Sequence, residues 1–176
     1  AIVEHRLQPG SKLVEQALRL EVPTREEMQE IEPTSRLYAE NGARYMTATM
    51  MCRSETDNPT TTAVTFILSD RRLITVRYDE PRPFTLVANK FARACPPTLT
   101  GELVLMELLD AIVDRAADIL ERISAEVDRI SQTIFTSKER SLDYRAIMTS
   151  IGRQGDLTSK VRECLVSIGR LLLYLA

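Results

Sequence analysis

The stretch from Gly101 to Phe135 constrains this chain more than any other, because nothing within it interrupts a helix. It contains no proline, and its only glycine stands at the first position, where a weak helix former costs least. Apolar residues recur at Leu105, Leu109, Ile112, Ala116, Ile119, Ile123, Val127, Ile130 and Ile134. The steps alternate between four and three with one slip, so a single seam is expected to stay buried as the helix turns. At 1.5 Å per residue such a helix is roughly 50 Å long. That exceeds the width of a domain this size, so it is read as an element that joins or braces separate parts.

A second helical period runs over Leu142–Leu175. Leu157, Val161, Cys164, Ile168, Leu171 and Leu175 step 4-3-4-3-4, a second coiled-coil seam. Its first half is weakened by Gly152 and Gly155. The polar run Thr136–Ser141 is short enough that the two helices are expected to pack antiparallel. Charge supports the pairing: Gly101–Phe135 carries three arginines against eight carboxylates, whereas 136–176 carries seven basic residues against four acidic. The apolar run to Leu175 stops in mid-helix, which reads as a truncation.

Before the long helix the pattern is mixed. Ala1–Leu7 reads as a strand and Lys12–Leu20 as a short helix. Thr24 with Glu27 three residues on is a capping box, which predicts a helix over Arg25–Ile31. Three strands follow. In Ala43–Arg53, Met46, Ala48, Met50 and Cys52 alternate with Tyr45, Thr47, Thr49 and Met51. Thr61–Ser69 turns Val64, Phe66 and Leu68 inward, and the link Asp70-Arg71 makes a hairpin with Arg72–Tyr78. Pro81 and Pro83 introduce a helix over Phe84–Ala94, which Pro96-Pro97 stops. The expected class is therefore α/β (α+β). Residues 1–98 form a small mixed sheet sandwiched by helices, and residues 99–176 form a long antiparallel helical hairpin.

Composition excludes several classes of function. Apolar content of 44% and charged content of 27% are those of a folded globular chain. Residues 1–100 balance 13 basic against 13 acidic side chains, so no basic face for nucleic acid is evident. Cys52, Cys95 and Cys164 have no C-x-x-C spacing, which argues against structural zinc or a disulfide framework and for a reducing, cytoplasmic setting. No apolar run approaches the roughly 18 residues of a membrane span. His5 is the only histidine and lies in a predicted edge strand, and the scattered glycines form no phosphate loop, so the chain is not read as an enzyme.

The long helix carries two charged stripes besides its seam. Glu107, Asp110, Asp114, Asp118, Glu121 and Asp128 keep the three-and-four spacing, and Arg115, Arg122 and Arg129 recur every seven residues. A solvated face laced with ion pairs explains both. A site for a hard divalent cation is the alternative, since stacked carboxylates repel and magnesium needs only one or two of them directly. Spacing alone leaves both open.

Several segments in order resemble the cytoplasmic domain of bacterial CorA-type magnesium transporters. They are Val22-Pro23-Thr24-Arg25-Glu26-Glu27-Met28, Ser35-Arg36-Leu37-Tyr38, Tyr45-Met46-Thr47-Ala48-Thr49, the pair Val64–Leu68 and Leu73–Arg77, and Leu108–Asp114 followed by Leu120-Glu121-Arg122-Ile123. The resemblance implies a homopentamer in which a cytoplasmic α/β sandwich and long helices lead into two membrane helices per subunit. The family's Gly-Met-Asn pore motif and stalk helix are absent here, so the chain would be a soluble regulatory fragment at the cytoplasmic face of the bacterial inner membrane. In such proteins magnesium between neighbouring cytoplasmic domains favours the closed pore. By position, Glu26 or Glu27 and Asp110 or Asp114 are the implied regulatory Mg2+ ligands. A zinc-transporting relative of the family, and a soluble module whose helical hairpin binds a partner, are the other readings.

Overall fold

Short links between strands leave little choice of sheet topology, and the chain builds an antiparallel meander. The structure is a computed structural model that describes residues 20–70, 72–136 and 143–176. The strand expected at Ala1–Leu7, most of the helix at Lys12–Leu20, Arg71 and most of the connection Thr136–Ser141 lie outside the described residues.

Two one-turn helices, α1 (Arg25–Met28) and α2 (Pro33–Arg36), precede strands β1 (Leu37–Glu40), β2 (Ala43–Cys52), β3 (Thr60–Ser69) and β4 (Arg72–Arg77). The helix expected over Arg25–Ile31 ends at Met28 because Pro33 follows closely, disfavours a helical residue before it, and starts its own turn. β1 is an addition to the three expected strands. It pairs Glu40 with Ala43 across Asn41-Gly42, whose φ values of 50° and 79° are the left-handed pair that a two-residue hairpin demands. The strands lie in the order β1-β2-β3-β4 and every pairing is antiparallel, whereas a mixed sheet was expected. Parallel pairing needs a crossover of a dozen or more residues, and no link between these strands provides one.

The α+β class is otherwise as read. Met46, Ala48 and Met50 of β2 and Val64 and Phe66 of β3 face the helices, while Ala43, Tyr45 and Ile67 form a smaller cluster on the other face with Leu20, Tyr38, Ile74 and Val76. Tyr38 stacks on Tyr45 at 4.7 Å, and Thr47 and Thr65, directly opposed, share a hydrogen bond of 2.8 Å. α3 (Arg82–Arg93) has Pro83 in its first turn and buries Phe84, Val87 and Phe91, with Phe84 stacked on Phe66.

The long helices are α4 (Gly101–Thr136) and α5 (Tyr144–Leu175). Leu105, Leu109, Ile112, Ala116, Ile119 and Ile123 of α4 and Val161, Cys164, Ile168 and Leu171 of α5 share one core with the sheet. β1 is short, so the edge of β2 beyond Met46 has no strand beside it. α5 covers it: Thr49 N donates to Ser167 Oγ at 2.9 Å, and one turn back the Cys164 thiol meets the Met51 backbone. Burial pushes that thiol above its usual range and the Cys52 thiol up to about 11.

The expected seam on α4 needs one correction. Val127 and Ile134, assigned to it, are exposed, while Ile130 is buried. Continuing the three-and-four alternation past Ile123 leads to Glu126 and then Ile130. Glu126 accepts from Ser150 Oγ of α5 at 3.0 Å, so a polar tie takes an apolar place in the seam.

α4 begins against β4, where a Cβ added to Gly101 would stand 2.6 Å from the Arg72 carbonyl carbon and 2.7 Å from Leu73 N. Backbone cannot yield as a side chain does. Gly101→Ala is expected to destabilise by about 2 kcal/mol, whereas Gly155→Ala, on an α5 position with nothing within 4 Å, should stabilise by about 0.5–1 kcal/mol. Thermal unfolding of the two variants checks the opposite signs.

Candidate functional site

The four carboxylates singled out from the sequence stand on two elements. Glu26 and Glu27 lie in the single turn of α1, where Glu27 is already engaged: its Oε2 accepts Thr24 N–H at 2.7 Å, and its own N–H donates to Thr24 Oγ1 at 3.3 Å. This reciprocal cap fixes the turn. Glu26 beside it is exposed. Asp110 and Asp114 are exposed on α4, one turn apart on one flank, and neither forms an ion pair among the described residues. No group of three or more His, Cys, Asp or Glu able to hold a metal ion occurs among the described residues. One chain thus offers Asp110 and Asp114 as a pair of hard oxygen donors, with the remaining coordination left to water or to another molecule. That donor set fits magnesium, which keeps several waters and takes one or two carboxylates.

The rest of the acidic stripe divides by partner. Glu107 is bound by Lys90 of α3, and Asp118 lies 3.7 Å from Arg115. Asp110, Asp114, Glu121 and Asp128 have no ion pair among the described residues. Unpaired carboxylates along one flank concentrate negative potential there, which attracts cations whatever the source.

The arginine stripe is only in part a solvated face: Arg115 is largely buried, whereas Arg122 and Arg129 are exposed. Arg115 donates to Ser54 Oγ at 2.9 Å and to Glu55 Oε1 at 2.8 Å, and Arg122 donates to Ser54 O at 3.1 Å. Arg82 of α3 also binds Glu55, and Arg153 of α5 lies 3.2 Å from Asp57. Three helices therefore clamp the β2–β3 loop. The Arg115 hydrogen bond, with help from the Arg82 charge, holds the Glu55 carboxyl below its ordinary value. Arg129, the third of the stripe, instead grips Glu126 through two bonds of 2.6 and 2.9 Å. Together with Ser150, it brings Glu126 down to about 2. The seven-residue recurrence of arginine was visible in the sequence, but the loop it holds was not.

A polar pocket of about 220 Å³ lies at the end of the sheet next to the β2–β3 loop, between Arg25, Arg36, Thr49, Thr61, Asp79 and Glu163. Arg25 stacks over the Tyr78 ring, and Arg36 donates to Thr49 Oγ1 at 3.2 Å. Two guanidiniums and two carboxylates in its wall leave it without a dominant charge.

Comparison with known proteins finds a family model and relatives that the chain matches over most of its length. The family model described as CorA-like Mg2+ transporter protein matches residues 11–165. A magnesium transport protein CorA of Mannheimia succiniciproducens is 26% identical over 149 residues, covering 85% of this chain and 47% of the relative. That of Haemophilus influenzae is 27% identical over 149 residues, again 85% of this chain and 47% of the relative. That of Pasteurella multocida is 24% identical over 172 residues, 96% of this chain and 54% of the relative. The chain thus spans about half the length of the curated relatives it matches. The full-length CmaX protein superposes with a TM-score of 0.57 at 12% identity, covering 98% of this chain and 68% of that one, which is a likeness of fold. No helix among the described residues is long and apolar enough to cross a membrane.

The depressed carboxylates contribute to the acid limb of stability. A folded value below the ordinary 4.5 contributes stability that is full above 4.5 and is lost as pH falls through the folded value, about 2 for Glu126. Glu126→Gln is expected to be less stable than wild type at neutral pH, with the difference shrinking steadily below pH 4.5. Glu55→Gln should behave likewise. Urea midpoints across this range check both, and a difference independent of pH would contradict the assignment.

Proposed function

Because the chain belongs to the CorA-like Mg2+ transporter family, we propose that it is the cytoplasmic regulatory domain of a magnesium channel, acting by binding Mg2+ rather than by catalysis. In this reading the full protein is a homopentamer in the bacterial inner membrane and this part stands on its cytoplasmic face. Asp110 and Asp114 take a hydrated Mg2+ at the boundary between neighbouring subunits, with Glu26 or Glu27 presented from across that boundary. Occupancy favours the closed pore, so intracellular magnesium limits its own entry.

The observation that carries the reading is the Asp110–Asp114 pair, exposed and without an ion pair among the described residues. Two hard donors with open coordination suit an ion whose occupancy must change with its concentration, since a closed cage would hold it permanently. Oxygen donors also favour magnesium over zinc: the Cys52 and Cys164 thiols lie buried in the core, and the exposed Cys95 belongs to no group of three or more His, Cys, Asp or Glu among the described residues. The clamp on the β2–β3 loop supports a mechanical role. With Ser54 and Glu55 held by α3 and α4, the sheet and the long helices shift together rather than separately.

Sedimentation of the chain with and without millimolar Mg2+ tests the proposal. Mg2+ is expected to increase association of the wild type and to leave Asp110→Asn/Asp114→Asn unchanged. Equal behaviour of the two proteins would remove these residues from the site.

A further inference from the structure

Arg115 stands between two sets of carboxylates, and its position decides which of them it neutralises. It follows Asp114 directly in α4, yet its side chain is only 14% exposed. The guanidinium is forked across two partners. Nη2 donates to Ser54 Oγ at 2.9 Å and to Glu55 Oε1 at 2.8 Å, both in the β2–β3 loop. Nη1 lies 3.7 Å from Asp118 Oδ2 on its own helix. The contact with Glu55 is a charge-assisted hydrogen bond, whereas that with Asp118 is a loose ion pair at an exposed carboxylate.

Asp118 belongs to the flank that carries Asp110 and Asp114. The three are four residues apart, so they stand one above another on α4, and all are exposed. A cation drawn fully onto Asp118 lowers the negative potential beside Asp114, and with it the attraction for a divalent ion. Magnesium that keeps several of its waters depends on that potential more than on a closed cage of ligands. What restrains Arg115 lies in the loop. Glu55 gives it a shorter contact than Asp118 does, and Ser54 accepts from the same nitrogen. Arg82 of α3 binds the same Glu55 oxygen, so the carboxylate is anchored independently of α4.

We propose that Glu55 is a positioning residue for the Asp110–Asp114 site: it holds the Arg115 guanidinium toward the β2–β3 loop and so keeps the chain's own cation from competing with Mg2+ on the acidic flank. The inference rests on the magnesium-binding reading of that flank. Glu55 touches no ion itself and acts only through Arg115. The loop clamp thereby has a second consequence besides holding the sheet to the helices, since it sets how negative the flank is.

Mg2+ titrations of the isotope-labelled chain, followed by NMR, test this. Glu55→Ala, checked for folding by circular dichroism, is expected to bind Mg2+ about threefold more weakly than wild type, a modest factor because exposed charges are screened. Glu55→Ala/Arg115→Gln is expected to regain at least the wild-type affinity, because the cation that Glu55 restrained is gone. A merely structural loop gives the opposite result, since losing Arg115 as well strips more of the clamp and weakens binding further. A second measurement, by urea and without magnesium, follows the guanidinium. Asp118→Asn should change the unfolding constant little in wild type but about threefold or more in Glu55→Ala, where Arg115 has turned to Asp118. Wild-type affinity in Glu55→Ala, a double variant no tighter than Glu55→Ala, or an equal effect of Asp118→Asn in both backgrounds would each overturn the proposal. A wild type whose Asp110 and Asp114 amides ignore Mg2+ would instead overturn the magnesium reading, and the proposal with it.

Discussion

One buried seam on α4 holds the molecule together, because it packs against two things at once. Leu105, Leu109, Ile112, Ala116 and Ile119 lie in the same core as Met46 and Phe66 of the sheet and as Val161, Ile168 and Leu171 of α5. Neither the four-stranded sheet nor the hairpin buries enough apolar surface alone, since a one-faced sheet needs a cover and a two-helix hairpin has only one seam. α4 supplies both. Its first residue must be glycine for it to approach β4, and α5 then closes the exposed half of the β2 edge with Ser167 and Cys164.

Much of this was legible from periodicity. The long helix was expected to end at Phe135 and ends at Thr136; the hairpin of β3 and β4 and the second helical seam also fall where alternation and three-four spacing put them. β1 was missed although Asn41-Gly42 announces a two-residue turn, because a four-residue strand gives too few residues for alternation to show. The slip at Ile123 was the most informative detail. A slipped seam is better described as two stripes, one buried through Ile130 and one exposed through Val127 and Ile134, and only burial separates them. Glu126 hides the continuation because a carboxylate in a seam reads as its end, whereas here Ser150 and Arg129 satisfy it.

Charges were harder to read, because a stripe specifies a face and not what lies across it. The arginines of α4 read as the basic half of a solvated face, yet Arg115 and Arg122 hold a loop some sixty residues earlier in the chain. Long-range partners of this kind leave no local signature. The acidic stripe resolves in the opposite sense: Glu107 and Asp118 find partners, while Asp110, Asp114, Glu121 and Asp128 form no ion pair among the described residues. That pattern distinguishes acids used for holding the fold from acids that no protein cation engages among the described residues. The four residues named for magnesium divide in the same way, with Glu27 serving its helix cap and Asp110 and Asp114 facing out.

The central functional claim is that Asp110 and Asp114 form the magnesium-responsive part of a rigid domain. Backbone amide shifts of the isotope-labelled chain, followed by NMR as Mg2+ is added, test it most directly. The account predicts saturable shifts centred on Asp110–Asp114 at millimolar Mg2+, with Glu107, Asp118 and Glu126 little changed because cations of the protein already hold them. Shifts spread evenly over all eight carboxylates of α4, or none at Asp110 and Asp114, would contradict it.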